Sequence, residues 1–188
     1  MQQVDSRVQG VVGIQPRRRA HFAMIMLAAT FPALAGCSGD KEVHFGESAS
    51  LKLPSGATVE IAVTGYTHAN SADFSKYLQN TSSISGKTPY YVNYTMKRTN
   101  DQPLLDSEQV GGTDIGASDG SRPLERLQLM GVGYFPCEGV GTYSLKDKSV
   151  GASVSGCRVF LAGSGVGAPT SVEFYDDKTD PEKVTWTK

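Results

Sequence analysis

The chain has only three cysteines, three histidines and no C-x-x-C pair in 188 residues. Thiolates this sparse, with no histidine beside them, argue against a structural zinc site or a thioredoxin-like redox centre. Beyond residue 37 only His44 and His68 remain to serve as a general base, so nothing here carries a catalytic set. The sequence also lacks a basic stripe. Residues 1–36 hold four arginines against Asp5, which leaves 14 basic against 18 acidic residues in the rest. A mildly acidic body has little to neutralise phosphates with, and no nucleic-acid partner is expected. Leucine is sparse beside 21 glycines and 9 prolines, a composition of short strands and turns and not of a helical bundle. The apolar run from Phe22 to Ala35 is about 14 residues, below the ~20 that a helix needs to cross a bilayer.

That short run has an order of its own. Arg17, Arg18 and Arg19 precede it and small residues end it, in "RRRAHFAMIMLAATFPALAGC". A charged start, a short apolar middle and a small-residue end describe a secretion signal. Within it Leu34, Ala35, Gly36 and Cys37 resemble the lipobox of bacterial lipoproteins. The resemblance implies that the Cys37 thiol receives diacylglycerol, that the signal is cut just before it, and that Cys37 becomes the N-terminus. Two acyl chains hold a domain at a membrane surface where one holds only marginally. The expected organisation is a signal over 1–36, a lipidated cysteine and tether over 37–44, and one folded domain over 45–188 on the extracytoplasmic side of the cell membrane or envelope.

Assigning Cys37 to the lipid leaves Cys137 and Cys157 as a pair in an oxidising exterior. Their disulfide would close a loop of 19 intervening residues, for which the chain-entropy model gives roughly 3 kcal/mol. Because Cys157, Val159 and Leu161 alternate, the bridge is expected on the core side of a late strand.

The remainder alternates with period two. "ASLKL" (49–53) and "TVEIAVTGY" (58–66) flank Pro54-Ser55-Gly56, as a hairpin does. In "TPYYVNYTMKRTNDQPLL" (88–105), Tyr90, Val92, Tyr94 and Met96 share one face, until Asn100-Asp101-Gln102-Pro103 stops the strand. Between these, residues 67–87 break the pattern. There Ser71 is placed to cap a short helical turn carrying Phe74, Tyr77 and Leu78. The strand running into "KRTNDQPL", followed by "YFPCEG" (134–139), "SVSGCRVFLAGSG" (153–165), "PTSVEFYDD" (169–177) and "VTW" (184–186), resembles the telokin-like, immunoglobulin-like domain of bacterial secreted lipoproteins. That resemblance and the alternation agree on an all-β, immunoglobulin-like sandwich of about seven or eight strands with one short helical turn. The function expected of it is a binding or protein-interaction module for an unknown envelope protein or ligand, without enzymatic activity or cofactor. Loops 67–87 and 106–123 are the expected contact surface. The alternative is a ligand or metal carrier.

Several motifs invite chemistry. Gly116-Ala117-Ser118-Asp119-Gly120 fits the G-x-S-x-G nucleophile elbow, but Asp119-Gly120 is hairpin-turn chemistry. The glycines of Gly163-Ser164-Gly165-Val166-Gly167 lack the Lys-Ser/Thr of a phosphate loop. Asp176, Asp177, Asp180 and Glu182 offer oxygen ligands for Ca²⁺ in a spacing that fits no calcium loop and reads equally as a solvated turn. A carrier would require these, or His44, His68 and Met96, to converge.

Overall fold

A computed structural model describes residues 40–74, 81–127 and 140–188. The signal, Cys37, Cys137, Tyr77 and Leu78 lie outside the described residues, so the lipobox and the disulfide pairing are not visible in the fold.

The described residues form a two-sheet β-sandwich of nine strands: β1 Lys41–His44, β2 Ser48–Lys52, β3 Thr58–His68, β4 Thr88–Arg98, β5 Ile115–Ser118, β6 Glu125–Arg126, β7 Ser153–Ala162, β8 Ser171–Tyr175 and β9 Lys183–Thr187. One sheet runs β1-β9-β8-β5 and the other β2-β3-β4-β7-β6. One α-helical turn, Ser71–Phe74, and four short 3-10 turns complete it. The count slightly exceeds the seven or eight strands expected. The first of them, β1, pairs parallel with β9 from Lys41 against Val184 to His44 against Thr187. Residues 41–44 were expected to be tether; they are instead an edge strand, so the folded part begins before residue 45.

Alternation explains the sandwich. Leu51, Val59, Ile61, Val63, Val92, Tyr94, Met96 and Phe160 face inward from the five-stranded sheet, against Ile115, Val172, Phe174, Val184 and Trp186 from the other. Each large apolar side chain buried this way contributes roughly 1.5–3 kcal/mol. A bulge at Thr64 breaks the β3 register between Val63 and Gly65, whose φ of 133° suits glycine. The extra residue reverses the parity of the strand. Tyr66 therefore turns toward the core beside Tyr90, ring centroids 5.7 Å apart and edge to face.

Two expectations change here. Cys157, Val159 and Leu161 do share a face, but it is the outer face of the five-stranded sheet and not the side of the main core. Val159 and Leu161 bury there with Ala69, Phe74 and Ile84, and Tyr91, Leu127 and Cys157 pack against them. Part of the 67–87 excursion is therefore a cover for that face: Phe74 is fully buried and Ile84 nearly so. It is held by packing and is not a free contact loop.

The end of β4 is stapled by one side chain. The Arg98 guanidinium donates to the carbonyls of Asn100, Asp101, Gln102, Lys146 and Lys148, at 2.8–3.2 Å. Asn100 in turn accepts from Thr58 N–H and donates to the Gly56 carbonyl. The "KRTN" segment thus ties the β2–β3 turn, the end of β4 and the segment before β7 together.

Candidate functional site

Where the chain between β4 and β5 meets the segment before β7, backbone approaches backbone. Gly111 and Gly141 form an isolated bridge, Thr142 N–H donates to the Val110 carbonyl at 2.8 Å, and Gly112 N–H donates to the Val140 carbonyl at 3.2 Å. Only glycine fits at Gly141, because a Cβ there would lie 2.6 Å from the Val110 carbonyl oxygen and 3.1 Å from Gly111 Cα. This close approach forms a cleft of about 240 Å³, lined by Gln109 to Thr113, Gly141, Tyr143 and Arg158. Tyr143, on the 3-10 turn Thr142–Leu145, is 58% exposed.

Arg158 enters the cleft from β7. It pairs with Val92, and it shares the inward parity of Phe160 and Ala162. Its Nε is buried and has no hydrogen-bond partner among the described residues. An unmatched buried donor of this kind costs roughly 1–3 kcal/mol, more for a charged group. The carboxylates of the chain segment that lines the cleft are engaged elsewhere or unmatched in their turn. Asp114 accepts from Gly111 N–H at 2.7 Å and Thr113 Oγ1 at 3.3 Å. Glu108 keeps a buried Oε2 without a partner, and no ion pair among the described residues joins it to Arg158.

Tyr94 lies buried behind Gly112, outside the cleft lining. Its hydroxyl donates to the Val140 carbonyl at 2.8 Å. Burial pushes its pKa up to about 12, against the opposing pull of the Arg158 charge. Burial also raises the Asp114 carboxyl above its usual range, with the Gly111 N–H acting against it. Gly112 sits over both Arg158 and Tyr94: a Cβ there would lie 2.5 Å from Arg158 Nε and closer still to Tyr94 Oη. The site therefore combines close-packed backbone walls with one guanidinium whose Nε finds no acceptor among the described residues, backed by the buried Tyr94 phenol.

The residues singled out from sequence fall elsewhere. Ser118 ends β5, and its Oγ accepts from Gly120 N–H in a turn that leads back to a bridge with Pro123. The strand-to-helix elbow is not formed there. Asp119 instead organises two turns: its carboxylate accepts from Gly167, Ser121 and Arg122 N–H groups, which lower its pKa to about 2. Arg122 reaches the Gly165 carbonyl. The glycine-rich turn 163–167 is thereby pinned to the β5–β6 turn. Asp176, Asp177, Asp180 and Glu182 lie in the β8–β9 turn, where Asp176 is buried and accepts from Lys178 N–H while the other three are exposed. Met96 is fully buried in the main core, His44 lies on β1 of one sheet and His68 ends β3 of the other, edge-on to Tyr90. The carrier reading needed these to meet, and no cluster of metal-ligating side chains forms among the described residues.

No family model matches the sequence, and no curated protein matches it. Among solved structures, the chain is similar to MPT63, a secreted protein from Mycobacterium tuberculosis. The identity is 12%, the TM-score 0.53, and the match covers 81% of this chain and all of that one. At this identity the likeness speaks for the β-sandwich fold, which it shares with the architecture described above.

Arg158, Gly112, Gly141 and Tyr143 were not picked out by sequence reading. The signal available was a charged residue at an inward position of an alternating strand, next to Phe160. Placing the core on the side of Cys157, Val159 and Leu161 assigned Arg158 to solvent and hid it.

Proposed function

We propose that this is an extracytoplasmic lipoprotein of the telokin-like, immunoglobulin-like kind, anchored to the membrane through Cys37, whose sandwich is a binding or interaction module at the cell envelope. The observation that carries the binding role is the cleft: a concave, preorganised site with one unsatisfied cation, in the 106–123 region expected to make contacts. The anchor rests on the order of arginines, apolar run, small residues and cysteine over 17–37. The two acyl chains would hold the cleft near the bilayer, and residues 38–40 would be the spacer before β1. The Cys137–Cys157 disulfide belongs to the same reading, and it is supported by an exterior location.

The test is affinity capture from detergent-solubilised envelope by the tethered full-length protein. A discrete species retained by the wild type and displaced by soluble protein is the expected result. A profile identical to that of the empty tether would contradict the reading.

A further inference from the structure

Two arginines in this fold meet opposite fates. Arg98 directs its guanidinium at five backbone carbonyls and is consumed by the structure. Arg158 makes no hydrogen bond to any described residue through its buried Nε, although it stands on the inward side of a sandwich where polar groups are normally matched. The Asp114 carboxylate accepts from the Gly111 N–H, and the Tyr94 hydroxyl donates to Val140. A strand-borne guanidinium that fold-internal acceptors leave unmatched, opening on a cleft, is a recognition group awaiting an acceptor from outside.

We infer that Arg158 is the anion-recognising residue of the cleft, and that the cleft takes a carboxylate whose apolar remainder lies against Tyr143. This rests on the reading of the domain as a binding module. Carboxylate is favoured over a doubly charged phosphate because, among the described residues, Arg158 is the one charged side chain lining the cleft, while the neighbouring Arg126 donates to the Thr113 carbonyl. The buried Nε fixes the side chain, and the two Nη groups at its end match the two oxygens of a carboxylate. A cleft of about 240 Å³ equals only about eight water volumes of ~30 Å³ each. It admits a carboxylate and a few further atoms, so a longer ligand must leave across the rim. That rim carries the exposed ring of Tyr143, a surface suited to apolar or aromatic contact. Gly112 completes the fit, since a Cβ there would occupy the space beside Arg158 Nε.

The probes are sodium acetate, sodium phenylacetate and inorganic phosphate, titrated at constant ionic strength into ¹⁵N-labelled full-length protein in detergent and followed by NMR. Acetate is expected to shift the Arg158 Nε–H resonance and the Gly112 and Tyr143 amides saturably, where chloride does not. Arg158→Gln should weaken this at least tenfold. Phenylacetate should bind several-fold more tightly than acetate, and Tyr143→Ala, at an exposed position, should erase that difference. Shifts no larger than those from chloride would overturn the inference, and phosphate binding tenfold tighter than acetate would overturn its chemical class. Should Arg158→Gln fail to fold, the wild-type Nε–H titration and Tyr143→Ala still decide. Envelope capture without an acetate response would sink the carboxylate site and spare the module. Carboxylate binding without any captured species would do the reverse.

Discussion

Gly112→Ala probes the packing on which the cleft depends. The backbone φ of Gly112 lies outside the left-handed range, so the residue is glycine for space and not for conformation. An added Cβ would lie 2.5 Å from Arg158 Nε and 3.1 Å from its Cζ, and nearer still to Tyr94 Oη. Arg158 ends in a flexible chain that can yield. Tyr94 cannot, because its ring is 1% exposed and wedged in the main core. Forcing a methyl into such a site costs about 1–3 kcal/mol. Displacing the hydroxyl also breaks the 2.8 Å bond to Val140, leaving the buried Tyr94 hydroxyl unmatched, while the Val140 carbonyl keeps Gly112 N–H, at a further ~1–3 kcal/mol. The restricted unfolded chain returns about 0.4–1 kcal/mol. The net expectation is a loss of about 2–4 kcal/mol, a large share of the ~5–15 kcal/mol of a typical domain. Urea unfolding followed by the fluorescence of the single, buried Trp186 measures it. The decisive form is a double-mutant cycle with Tyr94→Phe, which removes the oxygen that obstructs the methyl. In that background Gly112→Ala should cost at least about 1 kcal/mol less than in the wild type. A Gly112→Ala protein within about 0.5 kcal/mol of wild type, or costs that add within that margin, would refute the reasoning.

Three further outcomes follow from other parts of the molecule. The Asp119 carboxyl titrates at about 2 in the fold against 3.8 when free, because three backbone N–H groups favour its charged form. Its contribution to stability is therefore present above pH 3.8 and lost as pH falls through about 2. Asp119→Asn should flatten the stability profile between pH 4 and 2, and parallel acid-unfolding curves would discount the network. Cys37→Ala should move the protein from the membrane fraction to the soluble fraction; unchanged fractionation would remove the anchor. Thiol titration of the denatured, unreduced protein isolated from the envelope should find neither Cys137 nor Cys157 reactive, and two reactive thiols would break the pairing.

The sheets were legible where a strand has one wet face. β2, β3 and β4 each alternate cleanly, and their hairpin, their inward residues and the turn at Asn100 follow from period two and turn chemistry. β7 was legible as a strand but not in its facing, since apolar residues occupy both sides: Phe160 and Ala162 toward the main core, Val159 and Leu161 toward the second cluster. Period two cannot choose between two buried faces. The cover supplied by Phe74 and Ile84 comes from a segment whose polar composition reads as loop. The bounds of β1 were not legible, because four residues pairing in parallel across the whole length of the chain leave no local signal. The same holds for the cleft. Its walls are glycines brought together by the Val110–Thr142 and Gly112–Val140 contacts, about 30 residues apart in sequence. Its one charge was assigned to solvent through the phase error in β7.

The claim that this cleft is the working surface of an envelope binding module is tested most directly by placing a photo-activated cross-linker in the native cell envelope. The probe replaces Tyr143 in one protein and, as a control, the exposed Lys178 in the β8–β9 turn in another. The account predicts a discrete cross-linked product from position 143, reduced at least tenfold when Arg158→Gln is added, and none from position 178. Equal yields at the two positions, or a product indifferent to Arg158→Gln, would contradict it.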